Sequence, residues 1–267
     1  MENNSTWTPS APSPTTWSRK SFPVVLTIIA VLGIVPIVLI SNTIYFSYLL
    51  ATHQMSRHID PTLLSVRIVV ISQLVTYVPL MAYLLAVVPY LANRSLAELG
   101  VRTPRWRELG IGLGGAIVMW LSVSAVAQVL STLTHSHETE SAVKVLREVH
   151  SPAQILGFVA VAVVFAPIVE EFAFRVFFFN AIARYSNTMI GAAVSGILFG
   201  LVHVVGMTDQ GGIAGALLTV GIPLAFGGFV LAIVYARTGC YWANVLTHGL
   251  FNAASVIAVL VFHVSDS

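Results

Sequence analysis

Three charged side chains lie close together inside an apolar stretch of the chain, at Glu170, Glu171 and Arg175. Glu171 and Arg175 are four residues apart with the carboxylate first, which favours an ion pair along one face of a helix. Glu170 lies about 100° around the same helix from Glu171, so it is the carboxylate most free to face another group. A free carboxylate can act as a general base toward water, and we predict that Glu170 is the reactive group. In the alternative, both glutamates share Arg175 and only stabilise the fold.

Histidine and asparagine side chains form two further polar groups in apolar stretches. His203 follows Phe199 by four residues, which places the imidazole and the ring on one helical face. His248 and Asn252 are also four residues apart, so two hydrogen-bonding side chains are stacked together. Each group alone is also explained by hydrogen bonds between membrane helices. Polar groups on three separate stretches are explained more simply by one convergent site.

The composition places these residues in a membrane. Hydrophobic residues make up 57% of the 267-residue chain and charged residues 9%, with a mean hydropathy of +0.86, whereas about 25% charged is typical of soluble domains. A net charge of +2 excludes a basic surface for nucleic acid, and Cys240, the single cysteine, excludes a disulfide scaffold. Continuous apolar runs of about twenty residues favour helices over membrane-spanning strands. The predicted fold class is all-α, a polytopic membrane helix bundle.

Seven apolar segments are predicted to span the membrane. The charged segment 134–151 is predicted to be a short surface helix, or a re-entrant element that would raise the number of spans to eight. Glu170 and His203 reach similar depth only if residues 151–156 lie outside the fourth span. Gly110 with Gly114, and Gly196 with Gly200, predict close helix packing. The predicted spans are residues 22–48, 64–90, 109–133, 157–179, 188–205, 213–235 and 241–262.

The basic residues predict the orientation in the cell membrane. The side that carries more Lys and Arg is expected to be cytoplasmic, which places the amino terminus inside the cell. Residues 1–21, rich in Ser, Thr, Pro and Asn, are predicted to be a disordered cytoplasmic tail. The inner set is Arg19, Lys20, Arg94, Arg102, Arg105, Arg107, Arg184 and Arg237, and the outer set is Arg57, Lys144 and Arg147.

Three motifs resemble those of the CPBP intramembrane proteases, a family related to the CAAX prenyl endopeptidases and to bacteriocin self-immunity proteins. Residues 96–102 (LAELGVR) also resemble a segment often found upstream in the family. The resemblance covers residues 96–252 and implies a protease core at 96–264. Residues 22–95, which carry no resemblance beyond being apolar, are predicted to be amino-terminal transmembrane helices. The motifs are EExxxR at Glu170 to Arg175, FxxxH at Phe199 to His203, and HxxxN at His248 to Asn252.

The resemblance implies an intramembrane endopeptidase of the glutamic type, which cleaves membrane-associated, hydrophobic or prenylated peptides. It implies that Glu170 and His203 hold and deprotonate a water molecule. His248 and Asn252 would then donate hydrogen bonds to the carbonyl oxygen as it becomes tetrahedral. Support for the site would come from Glu171, Arg175 and Phe199. The implied partners are the lipid bilayer and a hydrophobic or lipidated peptide or protein, with no nucleic acid.

Two alternatives accompany this interpretation. Glu170, His203 and His248 form a set of the kind that binds catalytic zinc. Since the chain has no HExxH helix and Asn252 beside His248 fits a donor pair better, we expect a metal-free reaction without a cofactor. A non-enzymatic membrane protein, either a proton-coupled carrier or a bacteriocin-immunity scaffold, would use the buried Glu and His residues as a proton relay. The neutral Asn252 favours an oxyanion hole over a relay.

Overall fold

Seven helices are present in a computed structural model, which describes residues 18, 20–52, 66–134, 151–205 and 212–262. The all-α prediction is confirmed, because these residues contain helices and connecting turns and no strand. The helices are α1 (Val24–Ala51), α2 (Val66–Ala92), α3 (Trp106–Thr134), α4 (Pro152–Tyr185), α5 (Thr188–Val204), α6 (Gly212–Thr238) and α7 (Tyr241–Phe262).

Six of these helices are long and apolar enough to cross a membrane, and α5 is an apolar helix of 17 residues. The predicted bounds agree closely with the observed ones except for the fourth segment, where the helix extends over Pro152–Tyr185. At ~1.5 Å per residue this helix of 34 residues is roughly 50 Å long, more than the ~30 Å hydrocarbon core, so part of α4 extends beyond it. The predicted surface helix or re-entrant element falls at 135–150, outside the described residues.

Two stretches of α4 and one of α6 are π-helical, at Val161–Phe165, Phe172–Phe179 and Leu217–Gly221. A π-helical turn contains an extra residue, which redirects the side chains after it and changes the carbonyl pattern, and such turns are frequent at functional sites. The two in α4 flank the short α-helical segment Ala166–Glu171, which carries both glutamates. The sequence pattern, which assumes α-helical spacing, did not reveal these turns.

Close contacts between α5 and α6 depend on glycine. A Cβ atom on Gly196 would lie 2.6 Å from the Ala225 carbonyl oxygen, and Gly200 faces the same helix. The predicted close packing is therefore correct for this pair of glycines. It is wrong for Gly110 and Gly114 of α3, because a Cβ on either would meet no atom within 4 Å. Spacing alone shows that two glycines share a face, and it does not show whether another helix covers that face.

The amino-terminal hairpin joins the rest of the bundle through α2, since α1 packs on α2 and α2 packs on α4. The residues before α1 reach the ends of both partners. The Phe22 amide donates to the Leu91 carbonyl at 2.6 Å, and the Tyr185 hydroxyl donates to the Phe22 carbonyl at 2.5 Å. Arg184 donates to the Ser18 carbonyl at 3.2 Å. These contacts hold the end of the predicted tail, of which residues 1–17 and 19 lie outside the described residues.

Candidate active site

Two neighbouring glutamates at the end of the segment Ala166–Glu171 point to different surroundings. The Glu171 side chain is fully buried, whereas the Glu170 side chain is 14% exposed. The spacing argument predicts this difference, because one carboxylate faces Arg175 and the other is turned away along the helix. Glu170 is therefore the carboxylate that a small molecule such as water can reach.

An ion pair joins Glu171 to Arg175 in the interior. The Arg175 Nε atom lies 3.1 Å from Glu171 Oε2, and both side chains are fully buried. Arg175 also donates from Nη2 to the Gly228 carbonyl at 3.1 Å, which connects α4 to α6. Its guanidinium lies 4.8 Å from the centroid of the Phe199 ring, a distance that permits a cation–π interaction. A buried ion pair needs such additional contacts to offset the cost of removing it from water.

His248 lies between the two glutamates. Its Nδ1 atom is 2.8 Å from Glu171 Oε1, and its Nε2 atom is 3.8 Å from Glu170 Oε2. Because an ionised carboxylate only accepts hydrogen bonds, Nδ1 carries a hydrogen and donates it to Glu171. The distance to Glu170 is longer than a hydrogen bond. The imidazole is therefore fixed by Glu171 and presents Nε2 to Glu170.

Three polar side chains of α7, spaced four residues apart, contact α4. Asn244 donates through Nδ2 to Glu171 Oε2, His248 contacts both glutamates, and Asn252 donates through Nδ2 to the Ala162 carbonyl at 2.7 Å. The Ala162 carbonyl belongs to the first π-helical turn of α4. A Cβ on Gly249 would lie 2.7 Å from the Val163 carbonyl oxygen, so the two helices touch at this point. One N–H of the Asn252 amide is thus used to position it and the second remains available.

His203 packs against the Phe199 ring on helix α5. Its Nδ1 atom is 2.6 Å from the Phe199 carbonyl oxygen, and the two ring centroids are 4.5 Å apart. Phe199 also makes an edge contact with His248, with centroids 5.5 Å apart. Within the described residues His203 makes no hydrogen bond or ion pair with Glu170, so the structure does not bring these two predicted water ligands into direct contact. Phe199 has the supporting position that its motif implies, with Arg175 and both histidines around it.

Two contributors to the site were not predicted. Tyr77 of α2 donates from its hydroxyl to Glu170 Oε1 at 2.5 Å, and Asn244 of α7 binds Glu171. Asn244 precedes His248 by four residues, so the spacing that linked His248 to Asn252 could have identified it. Nothing in the sequence identified Tyr77, because aromatic residues are common in apolar helices and its partner is 93 positions away.

The residues of the zinc alternative do not form a metal site in this arrangement. In the part of the chain that the structure describes, no three His, Cys, Asp or Glu side chains are placed to hold one ion. Glu170 and His248 approach each other, and His203 faces the Phe199 carbonyl instead. The donor set therefore does not fit tetrahedral zinc coordination without rearrangement.

Comparison with known proteins identifies the same region of the chain. Residues 152–254 match a family described as type II CAAX prenyl endopeptidase Rce1-like. YdiL of Bacillus subtilis (strain 168), whose name describes a candidate membrane peptidase, is 29% identical over 125 residues. This match covers 47% of the present chain and 44% of the relative, so the chain spans less than half the length of that relative. No solved structure matches the chain.

All three motifs that suggested the family lie within residues 152–254. The matching region also contains α4, α5 and the first part of α7, which supply the glutamates, both histidines and Asn252. The resemblance found from the motifs is thereby confirmed. Residues 152–254 of this multi-pass membrane chain are therefore similar to the type II CAAX prenyl endopeptidase Rce1-like family.

Proposed function

We propose that this protein is an intramembrane endopeptidase in which Glu170 activates a water molecule and α7 supplies the oxyanion hole. The observation that carries the proposal is the placement of His248 between two carboxylates. Glu171 binds one imidazole nitrogen at 2.8 Å, and Glu170 faces the other at 3.8 Å. A base and a hydrogen-bond donor thus face one small volume, as addition of water to a carbonyl group requires.

The first step places a water molecule against Glu170 Oε2. As the water oxygen attacks the peptide carbonyl carbon, Glu170 takes one of its protons and the carbonyl oxygen becomes an oxyanion. His203 is the second group proposed to hold this water. Because its Nδ1 faces a carbonyl oxygen that can only accept, Nδ1 carries the hydrogen and Nε2 is free to accept one from water.

The oxyanion is stabilised by two donors from α7. The first donor is His248, which presents Nε2 to Glu170 and donates from it when that nitrogen carries a hydrogen. The second donor is the free N–H of the Asn252 amide, whose other N–H is held by Ala162. Donors fixed before the reaction need little reorganisation when charge develops.

The second step breaks the carbon–nitrogen bond. Glu170 returns the proton to the leaving nitrogen as the tetrahedral intermediate collapses, which yields a carboxylic acid and an amine. This sequence of steps needs no metal or cofactor. Zinc bound by Glu170, His203 and His248 is the alternative, in which elemental analysis of active, chelator-treated protein would find one retained zinc per chain.

The proposed substrates are hydrophobic or lipidated peptides, including prenylated ones, that reach the site from the bilayer. The cell membrane is the proposed location, with the amino terminus in the cytoplasm. The six long apolar helices and the apolar α5 support a membrane-embedded site. Among the described residues, the buried polar and charged side chains include Glu171, Arg175, Asn244 and His248 of the candidate site.

Hydrolysis of a fluorogenic hydrophobic peptide by protein reconstituted in vesicles tests the proposal. Glu170→Gln keeps the size of the side chain and removes the base, so we expect turnover to fall by about 10² to 10⁴. Glu98→Gln is the matched control, because the hydrogen bonds of the Glu98 carboxylate to described residues all go to Ser95, near the end of α2. A Glu170→Gln protein as active as the wild type would overturn the proposed function. Hydrolysis that disappears with chelation and returns with zinc would replace it by the metal-dependent form.

A further inference from the structure

We propose that Tyr77 of α2 positions Glu170, so that the amino-terminal hairpin completes the candidate active site. This inference rests on the proposed function and extends it to a helix outside residues 152–254, the family-matched region. It assigns Tyr77 the role of a positioning residue, because its hydroxyl contacts Glu170 and acts through that carboxylate.

The Tyr77 hydroxyl makes the two oxygens of Glu170 unequal. It donates to Oε1 at 2.5 Å, whereas Oε2 faces His248 Nε2 at 3.8 Å. A hydrogen bond from a hydroxyl to an ionised carboxylate is stronger than one between neutral groups. Oε1 is therefore held by α2, and Oε2 remains to take the proton of the water. Rotation of the carboxylate would break the bond to Tyr77, so the tyrosine fixes the direction of the base.

Tyr77 is itself held in place by the hairpin. The neighbouring Thr76 accepts a hydrogen bond from Asn42 of α1 at 2.9 Å, and Asn42 also donates to the Val38 carbonyl. The helix α2 packs along α4, which brings the ring beside Glu170. Within the described residues Glu170 is the hydrogen-bond partner of the Tyr77 hydroxyl, and a hydroxyl in an apolar bundle needs such a partner. The contact is thus part of how the hairpin docks on the core.

In the described part of the chain, no helix besides α2 provides this function for Glu170. On the α7 side the carboxylate faces His248 across a gap longer than a hydrogen bond, and on the α5 side His203 is engaged with Phe199. Arg175 is bound by Glu171 and the Gly228 carbonyl. Among the described side chains, Tyr77 therefore makes the one short hydrogen bond to Glu170. Without it, we expect Glu170 to sample orientations that do not point toward the water.

Steady-state kinetics of Tyr77→Phe in reconstituted vesicles test the inference. Removal of the hydroxyl should lower kcat by about ten- to a hundredfold, the range expected for one hydrogen bond to a charged group. The KM should change by less than about threefold, because the peptide does not contact the hydroxyl. In a Glu170→Gln background the same substitution should have no further effect on the residual rate, since Tyr77 acts only through that carboxylate.

Tyr83→Phe is the matched control on the same helix. The Tyr83 hydroxyl donates to the Ala30 carbonyl of α1 at 2.9 Å and makes no contact with the site. It should leave kcat within about twofold of the wild type, although both variants lose one hydrogen bond between helices. Equal kcat values for Tyr77→Phe and Tyr83→Phe would overturn the inference. So would a loss in Tyr77→Phe that persists in the Glu170→Gln background.

A second measurement keeps the inference testable without activity. A double-mutant cycle of Tyr77→Phe and Glu170→Ala on thermal unfolding should show coupling, because the two side chains share one hydrogen bond and alanine cannot accept it. Additive effects would contradict the contact itself. The two claims fail in different ways: a fully active Glu170→Gln protein removes the proposed function, whereas an inactive Glu170→Gln with a fully active Tyr77→Phe removes only the role of Tyr77.

Discussion

Two arginine–glutamate pairs of this protein, one at the edge of the bundle and one in its interior, use the same residue types for different purposes. At the edge, Arg102 contacts both oxygens of Glu108, at 2.6 and 3.0 Å, and Glu108 also accepts the Arg105 amide at 2.8 Å. In the interior, Arg175 reaches Glu171 through Nε alone, and both side chains are fully buried. The Arg102 side chain of the edge pair is 25% exposed, and both carboxylate oxygens of Glu108 accept hydrogen bonds.

The difference between the pairs lies in their neighbours. The edge pair ties the α2–α3 connection to the end of α6, where Arg102 also reaches the Thr238 carbonyl at 3.5 Å. The interior pair has His248 and a second carboxylate, Glu170, beside it. An ion pair with saturated hydrogen bonds stabilises a connection, whereas a surplus carboxylate that a water can reach can do chemistry. The same type of ion pair therefore has a structural role at the edge and lies beside a reactive group in the interior, because the interior pair has a second carboxylate, Glu170, next to it.

The largest expected effect concerns Glu170 and His203. If both act on one water molecule, Glu170→Gln and His203→Ala should each lower single-turnover hydrolysis by about 10² to 10⁴, and the double variant should be hardly slower than either single one. Groups that work as a unit are not additive. Losses that multiply in the double variant would show that the two residues act separately and do not share one water molecule.

The next effect compares the two ion pairs directly. Arg175→Ala should lower the free energy of unfolding by about 3 to 5 kcal/mol, because it leaves the buried Glu171 without its partner. Arg102→Ala should cost less, about 1 to 3 kcal/mol, because the Arg102 side chain is partly exposed and Glu108 keeps the Arg105 amide as a donor. Denaturant unfolding in detergent micelles measures both. Equal losses would contradict the assignment of a buried, high-cost pair to the interior.

Cys240 provides an independent check of folding in these variants. It lies between α6 and α7, is fully buried, and burial raises the pKa of its thiol. A thiol that is shielded and mostly protonated reacts slowly with alkylating reagents. Its labelling rate therefore reports the folded fraction, and it should rise in Arg175→Ala and stay low in Arg102→Ala.

The next prediction concerns Asn252, the proposed second donor to the oxyanion, and its effect on kcat. Asn252→Ala should lower kcat by about 10² to 10³ with little change in KM, because its hydrogen bond strengthens only as charge develops. Thr247→Ala is a control on the same helix, since the Thr247 hydroxyl donates to backbone carbonyls away from the glutamates. A rise in KM without loss of kcat would assign Asn252 to substrate binding instead.

The smallest effect concerns the contact between α7 and α4. Gly249→Ala places a methyl group 2.7 Å from the Val163 carbonyl oxygen, so we expect a loss of about 1 to 3 kcal/mol in unfolding free energy. Gly114→Ala is the matched control in α3, where a Cβ meets no atom within 4 Å. It should be neutral or slightly stabilising. Similar stabilities for the two variants would contradict the close approach of α7 to the π-helical turn.

Periodic signals made much of the fold predictable. Long apolar segments identified the helices, and the spacing of Glu171 and Arg175 identified their shared face because both signals are local. The four-residue spacing of His248 and Asn252 also places both on the side of α7 that contacts α4. The three different motifs, which occur in the order typical of the family, then indicated that these helices meet.

Contacts between distant helices were not predictable in this way. Tyr77 is 93 positions from Glu170, and its sequence surroundings resemble any apolar helix. The π-helical turns of α4 lie where this helix packs against α7, and a pattern that assumes α-helical spacing does not contain them. Likewise, Gly114 and Gly196 look alike in the sequence, although only Gly196 meets another helix. Tertiary packing decides these features, so a single sequence leaves them open.

Of the two adjacent glutamates, Glu170 is proposed to act as the base and Glu171 to stabilise the fold. Glu170→Gln and Glu171→Gln, measured side by side, should therefore lose different properties. Hydrolysis per folded molecule is the quantity to compare, with unfolding measured on the same samples. We predict that Glu170→Gln folds like the wild type and loses about 10² to 10⁴ in rate. Glu171→Gln should lose several kcal/mol of stability, roughly the ~3 to 5 expected when a buried pair is broken, with a smaller loss of rate per folded molecule. A stable, inactive Glu171→Gln protein beside an active Glu170→Gln protein would contradict the account.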